Sequence, residues 1–124
     1  MKKTIAWLFV VVCSLQAMQA QKLLSRQELE NKTEYTSLVA ALQTPEEVYV
    51  LDLMGKGYTE LPAEVFQLPN LQILYLYENQ LIQLPARIKE LKNLQYLYLD
   101  MNKLRRLPPE IGQEILPQRI PDHR

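Results

Sequence analysis

The chain has 124 residues, 14 of them basic and 14 acidic. That length bounds it at one domain. Balanced charge argues against nucleic acid or an anionic membrane surface as the main partner, since both select a net basic surface.

The first twenty residues differ from the rest. Lys2 and Lys3 precede an unbroken apolar run from Ile5 to Val12, and small and polar residues follow up to Ala20. This layout predicts a secretory signal peptide over residues 1–20, cleaved after Ala20 or alternatively after Ala17. The apolar run is shorter than the roughly 20 residues that a membrane-spanning helix needs. Cys13 raises a lipoprotein signal as the alternative, although Val12 before it is larger than such a site favours. Cleavage after Ala20 removes the sole Cys and the sole Trp. The remaining chain then has no thiol and must hold its fold by packing alone.

Residues 21–47 read as an N-terminal helical cap. Ser25 with Glu28, and Asn31 with Glu34, have capping-box spacing. Tyr35, Leu38, Val39 and Leu42 form an i, i+3, i+4, i+7 stripe. Thr44-Pro45-Glu46-Glu47 then turns the chain into a first strand. Asn31-Lys32-Thr33 also has the form of a glycosylation sequon.

From Val48 the sequence repeats every 23 residues. Val48, Leu71 and Leu94 open three units, 48–70, 71–93 and 94–113. Leu51, Leu74 and Leu97 share one column, and Leu53, Leu76 and Leu99 the next. Leu61-Pro62, Leu84-Pro85 and Leu107-Pro108 coincide, as do Val65, Ile88 and Ile111. Asn79 and Asn102 align with Lys56, which Gly55 and Gly57 flank. The L-x-L alternation suits a strand buried on one face. An inward Asn amide can bond the backbone groups that the following turn leaves unpaired. Leucine before proline is pushed to extended geometry, and each proline suits the first turn of a short helix. No unit buries its leucines alone; stacking makes a continuous core.

These units resemble the leucine-rich repeat in its 23-residue L-P form. The resemblance implies an α/β fold: a right-handed solenoid with one short parallel strand per unit on its concave face. "YTSLVAALQTPEEVYVLDL" also looks like the opening segment of secreted bacterial leucine-rich-repeat proteins. After Gln113 the register is lost, so residues 114–124 read as an irregular tail and the last strand as an open edge.

Residues between the strand leucines face away from the core. Their columns are Val50, Ile73 and Tyr96; Asp52, Tyr75 and Tyr98; Met54, Tyr77 and Asp100; Gly55, Glu78 and Met101. Four of the seven tyrosines therefore share one exposed face with three acids. Tyrosine has high strand propensity, which alone accounts for some of this. Tyrosine is also enriched at interface hot spots. The predicted partner-binding residues are Asp52, Tyr75, Tyr77, Glu78, Tyr96, Tyr98 and Asp100, and the acids favour a partner with Lys or Arg at the contact. The mixed basic side chains of the second unit's helical side read as a solvated surface.

Nothing in the sequence points to catalysis. The sole His, His123, lies in the tail, which argues against a Ser–His–Asp triad. No cluster has zinc-ligand spacing, and no phosphate-binding loop is present. Neither a metal nor a cofactor is expected. The reading is a non-enzymatic protein-binding module, secreted or on the cell surface, with a periplasmic destination also open. Its partner is a protein, by family analogy a host or extracellular one. The alternatives are a structural protein that self-associates through the C-terminal edge, or a truncated family member without an independent function.

Overall fold

The computed structural model describes residues 23–107. The expected signal peptide, the tail 114–124 and the end of the third unit from residue 108 lie outside the described residues. Among the described residues two α-helices and four strands follow in chain order: α1 (Arg26–Glu30), β1 (Glu34–Tyr35), α2 (Leu38–Gln43), β2 (Val50–Asp52), β3 (Ile73–Tyr75) and β4 (Tyr96–Tyr98). The strands make one parallel sheet in the order β1-β2-β3-β4. Val50 pairs with Ile73 and Ile73 with Tyr96, so the 23-residue register of the sequence is the register of the sheet. This is the α/β solenoid that the repeats imply.

The repeat columns are the core. Leu51, Leu74 and Leu97 are fully buried, and so are Leu53, Leu76 and Leu99. Each contributes roughly 1.5–3 kcal/mol by leaving water. Val65 with Leu68, and Ile88 with Leu91, close the core from the side opposite the strands. They lie on or beside 3₁₀ helices, Ala63–Gln67 and Ala86–Glu90, rather than α-helical turns. Pro62 and Pro85 stand one residue before these helices in extended geometry. Leu107 departs from Leu61 and Leu84. It is exposed and joins no core cluster among the described residues.

The asparagine columns fasten each unit to the one before it. Asn79 Nδ2 donates to the Leu53, Leu76 and Tyr77 carbonyls, and its Oδ1 accepts from the Lys56 and Tyr58 amides. Asn102 donates to the Leu76, Leu99 and Asp100 carbonyls and accepts from the Leu81 amide. Lys56 replaces Asn in the first unit, where no earlier repeat turn needs to be held. Gly55 and Gly57 take positive φ there, as their spacing suggests. Glu78 and Met101 occupy the Gly55 column with φ of 54° and 58°, a region that side chains rarely adopt.

The N-terminal part is not one helical cap. It is helix, strand and helix, and its two helices do different things. Ser25 and Glu28 make both halves of a capping box at α1. Asn31 and Glu34 do not form the second expected box, because Asn31 ends α1 and Glu34 belongs to β1. Ser37 instead caps α2 by accepting from the Ala40 amide. Tyr35 drops out of the expected helical stripe into the strand, and Val39 is exposed. Ala41, Leu38 and Leu42 of α2 pack on the leucine core, so α2 shields the start of the solenoid. Helix α1 goes elsewhere: Leu29 packs against Val50 and Ile73, on the sheet face turned away from that core.

Candidate functional site

The outer face of the sheet divides into two halves. Sequence alternation turns Val50, Ile73 and Tyr96 outward, but the first two are buried, at 4% and 2% exposure. Leu29 covers them and is itself only 1% exposed. The expectation that this whole face is open is therefore corrected for its first column. Taking aliphatic side chains at outward strand positions out of water is favourable, and α1 does this for Val50 and Ile73.

The segment leading into α1 is held by a pair of glutamines 23 residues apart. The Leu24 amide donates to Gln72 Oε1 at 2.9 Å, and Gln95 Nε2 donates to the Leu24 carbonyl at 2.7 Å. Gln95 Nε2 also donates to Gln72 Oε1 at 2.8 Å. Gln72 is fully buried, where an unpaired amide would cost about 1–3 kcal/mol. The strap across the sheet thus satisfies the glutamine column, and the column satisfies the strap.

Arg26 ties α1 to the tyrosines. Its guanidinium lies 5.0 Å from the centre of the Tyr96 ring, and Nη1 donates to the Tyr98 hydroxyl at 3.1 Å. Burial works against the charge, but hydrogen bonds to Glu30 and Tyr98 outweigh it and raise the Arg26 pKa. Lys32, just beyond α1, sits 4.6 Å over the Tyr49 ring.

The second half is open. Tyr75 stacks on Tyr98 with ring centres 4.8 Å apart, and Tyr77 lies 5.8 Å from Tyr75 and 5.5 Å from Tyr98. Such offset rings contribute about 0.5–1.5 kcal/mol per pair beyond area burial. All three are half-buried. Met54, in the column of Tyr77, and Met101, in the next column, are exposed. Burial in this cluster lifts the Tyr77 phenol to about 12, with Tyr98 and Asp100 adding to the shift. Burial raises Tyr75 as well, against the pull of Arg26.

The acids are spread along the same half. Asp52 ends β2 and accepts from the Met54 amide at 2.9 Å, an Asx turn that sets how the chain leaves the strand. Glu78 is exposed at its left-handed turn position, and Asp100 is half-buried beyond β4. Of the seven predicted residues, Tyr75, Tyr77 and Tyr98 form one cluster and Tyr96 is drawn under Arg26. Asp100 lies close enough to Tyr77 to affect its phenol, and Asp52 pairs in register with Tyr75.

Sequence reasoning missed Leu24, Arg26, Leu29, Gln72 and Gln95. Two signals point to them. Val50 and Ile73 are aliphatic in a column that should be wet, and the Gln72–Gln95 repetition asks for a polar partner. Among the described residues no group of three or more His, Cys, Asp or Glu is arranged to hold a metal, and no helix is long and apolar enough to cross a membrane.

The leucine rich repeat family model matches residues 46–104. Among solved structures, a leucine-rich-repeat protein of Leptospira interrogans matches with 29% identity and a TM-score of 0.38. The match covers 75% of this chain and 36% of that one, so this chain spans about a third of that protein's length. No curated protein matches. Asparagine-fastened parallel strands at a fixed 23-residue step, together with the family match over residues 46–104, identify this part of the chain as a leucine-rich-repeat solenoid.

Proposed function

We propose that the chain is a non-enzymatic protein-binding module, secreted or displayed at a cell surface, that binds a protein partner through the open half of its outer sheet face. The leucine-rich repeat is generally a protein-interaction fold. The observation that carries the reading further is the half-exposed stack of Tyr75, Tyr77 and Tyr98, with Met54 exposed in the column of Tyr77 and Met101 in the next. An aromatic and apolar patch with acids in the same columns has the composition of an interface core rather than of an ordinary wet surface. Its tyrosines offer large contact area at low entropic cost.

The destination rests on residues 1–20, whose basic start and short apolar run have the layout of an export signal. The test pairs capture with a variant. Immobilised chain and its Tyr77→Ala counterpart are exposed to the same extracellular protein fraction, and bound proteins are identified by mass spectrometry. A protein retained by the parent and lost by the variant supports the reading. Identical capture by both overturns the tyrosine face as the site.

A further inference from the structure

The outer face already holds one bound segment, and that segment shows what chemistry the face accepts. Arg26 lays its guanidinium over Tyr96 and donates to the Tyr98 hydroxyl, while Leu29, three residues on and one helical turn away, fills the aliphatic half beside it. These contacts join residues roughly 70 apart in the chain, so they resemble recognition of a ligand more than local packing. The structure repeats the motif elsewhere, with Lys32 over Tyr49 and Arg87 over Phe66.

The open half is built from the same parts; Arg26 touches its near edge, donating to the Tyr98 hydroxyl, but lies over the Tyr96 ring. Among the described residues no Lys or Arg lies over the rings of Tyr75, Tyr77 or Tyr98. The columns that make up this face contain three acids and no basic residue. Both aromatic faces and carboxylates attract a guanidinium, and Arg, being planar and weakly hydrated, stacks better than Lys. Met54 and Met101 supply adaptable apolar surface for a neighbouring side chain.

We propose that the open half recognises an arginine-bearing protein segment, with the guanidinium laid on the Tyr77–Tyr98 rings beside Asp100 and an adjacent apolar side chain against Met54 or Met101. The internal Arg26–Leu29 pair is the template for this contact. The proposal rests on the reading of this face as a binding surface and names the partner chemistry that the surface selects.

The test uses the full chain with carbon-13-labelled tyrosine, titrated with the blocked tetrapeptide Arg-Ala-Ala-Leu and with its lysine counterpart. Ring resonances of Tyr77 and Tyr98 should shift and saturate with the arginine peptide. The lysine peptide should bind roughly 2- to 5-fold more weakly, the size of one exposed cation–aromatic contact. Tyr77→Leu, which keeps apolar bulk and removes the ring, should lose a similar factor, and Asp100→Asn a smaller one. Arg26→Ala should add a second responding ring, Tyr96, because it uncovers the internal copy of the site. No shift at Tyr77, equal binding of the two peptides, or indifference to Tyr77→Leu overturns the proposal. If a protein is captured through Tyr77 and yet the arginine peptide does not bind, the arginine preference fails and the binding face stands. If capture is also indifferent to Tyr77, both fall.

Discussion

The two halves of the outer sheet face are made by the same repeat and have opposite fates. In the first column Val50 and Ile73 are aliphatic, α1 lies on them, and the surface is closed. Two and four residues further along each unit, the columns carry Tyr75, Tyr98, Tyr77, Asp52 and Asp100, which α1 touches at the Tyr98 hydroxyl through Arg26. The difference teaches that a solenoid face is not uniform along its strands. Side-chain choice at one outward position determines whether the chain binds itself or leaves the surface for something else.

Removing the anchor of the closed half should have the largest effect. Leu29→Ala should destabilise by about 2–5 kcal/mol, because it opens a cavity and exposes Val50 and Ile73. Denaturant unfolding measures this, and a loss below about 1 kcal/mol would mean that α1 only rests on the sheet. Gln72→Ala comes next. It deletes the acceptor for the Leu24 amide and for Gln95, and should cost about 1–3 kcal/mol. Amide exchange at Leu24 should accelerate with it.

Arg26→Ala should cost about 1 kcal/mol or less, since its contact with Tyr96 is only partly shielded and its pairing with Glu30 is exposed. Arg26→Lys should recover only part of the loss, because a single ammonium replaces a planar fork that both stacks and donates to Tyr98.

The smallest effect belongs to the open half and appears at alkaline pH. The folded Tyr77 pKa, about 12, lies above its ordinary value of 10, so the unfolded chain gives up this proton first. The associated stability is complete below pH 10 and is lost as pH rises toward 12. The ring is only half-buried, so the change is slight. Phenolate absorbance should show a late-titrating class of tyrosine that Tyr77→Phe diminishes, with Tyr75 contributing to the same class. Titration of all tyrosines near 10 would show that the cluster is as wet as a free surface.

Much of this architecture is legible in the sequence because it is periodic. A leucine every 23 residues defines the core, the strand register and the asparagine turn without any long-range inference. The tyrosine cluster follows from the same period, since strand alternation alone brings Tyr75 and Tyr98 side by side. The strap over the face was not legible. Helix α1 has only five residues, and its contacts reach Gln72, Gln95 and Tyr98, far along the chain. Local pattern sees a capped helix there but not where it lands. The second capping box failed for a related reason. Asn31 and Glu34 have suitable spacing, yet pairing with Val50 draws Glu34 into the sheet, and tertiary pairing overrides local preference.

The asparagine fastening has a consequence for how such a chain can change length. Asn79 completes a turn that belongs to the unit before it, and Asn102 does the same one step later. A unit is therefore finished only by its successor. Gain or loss of a whole 23-residue period leaves every amide opposite a suitable carbonyl. Gain or loss of a single residue between a strand leucine and its asparagine misaligns two units at once. Growth and shrinkage by whole periods are then the tolerated edits to this molecule, and the tyrosine columns would be copied or deleted along with the leucines.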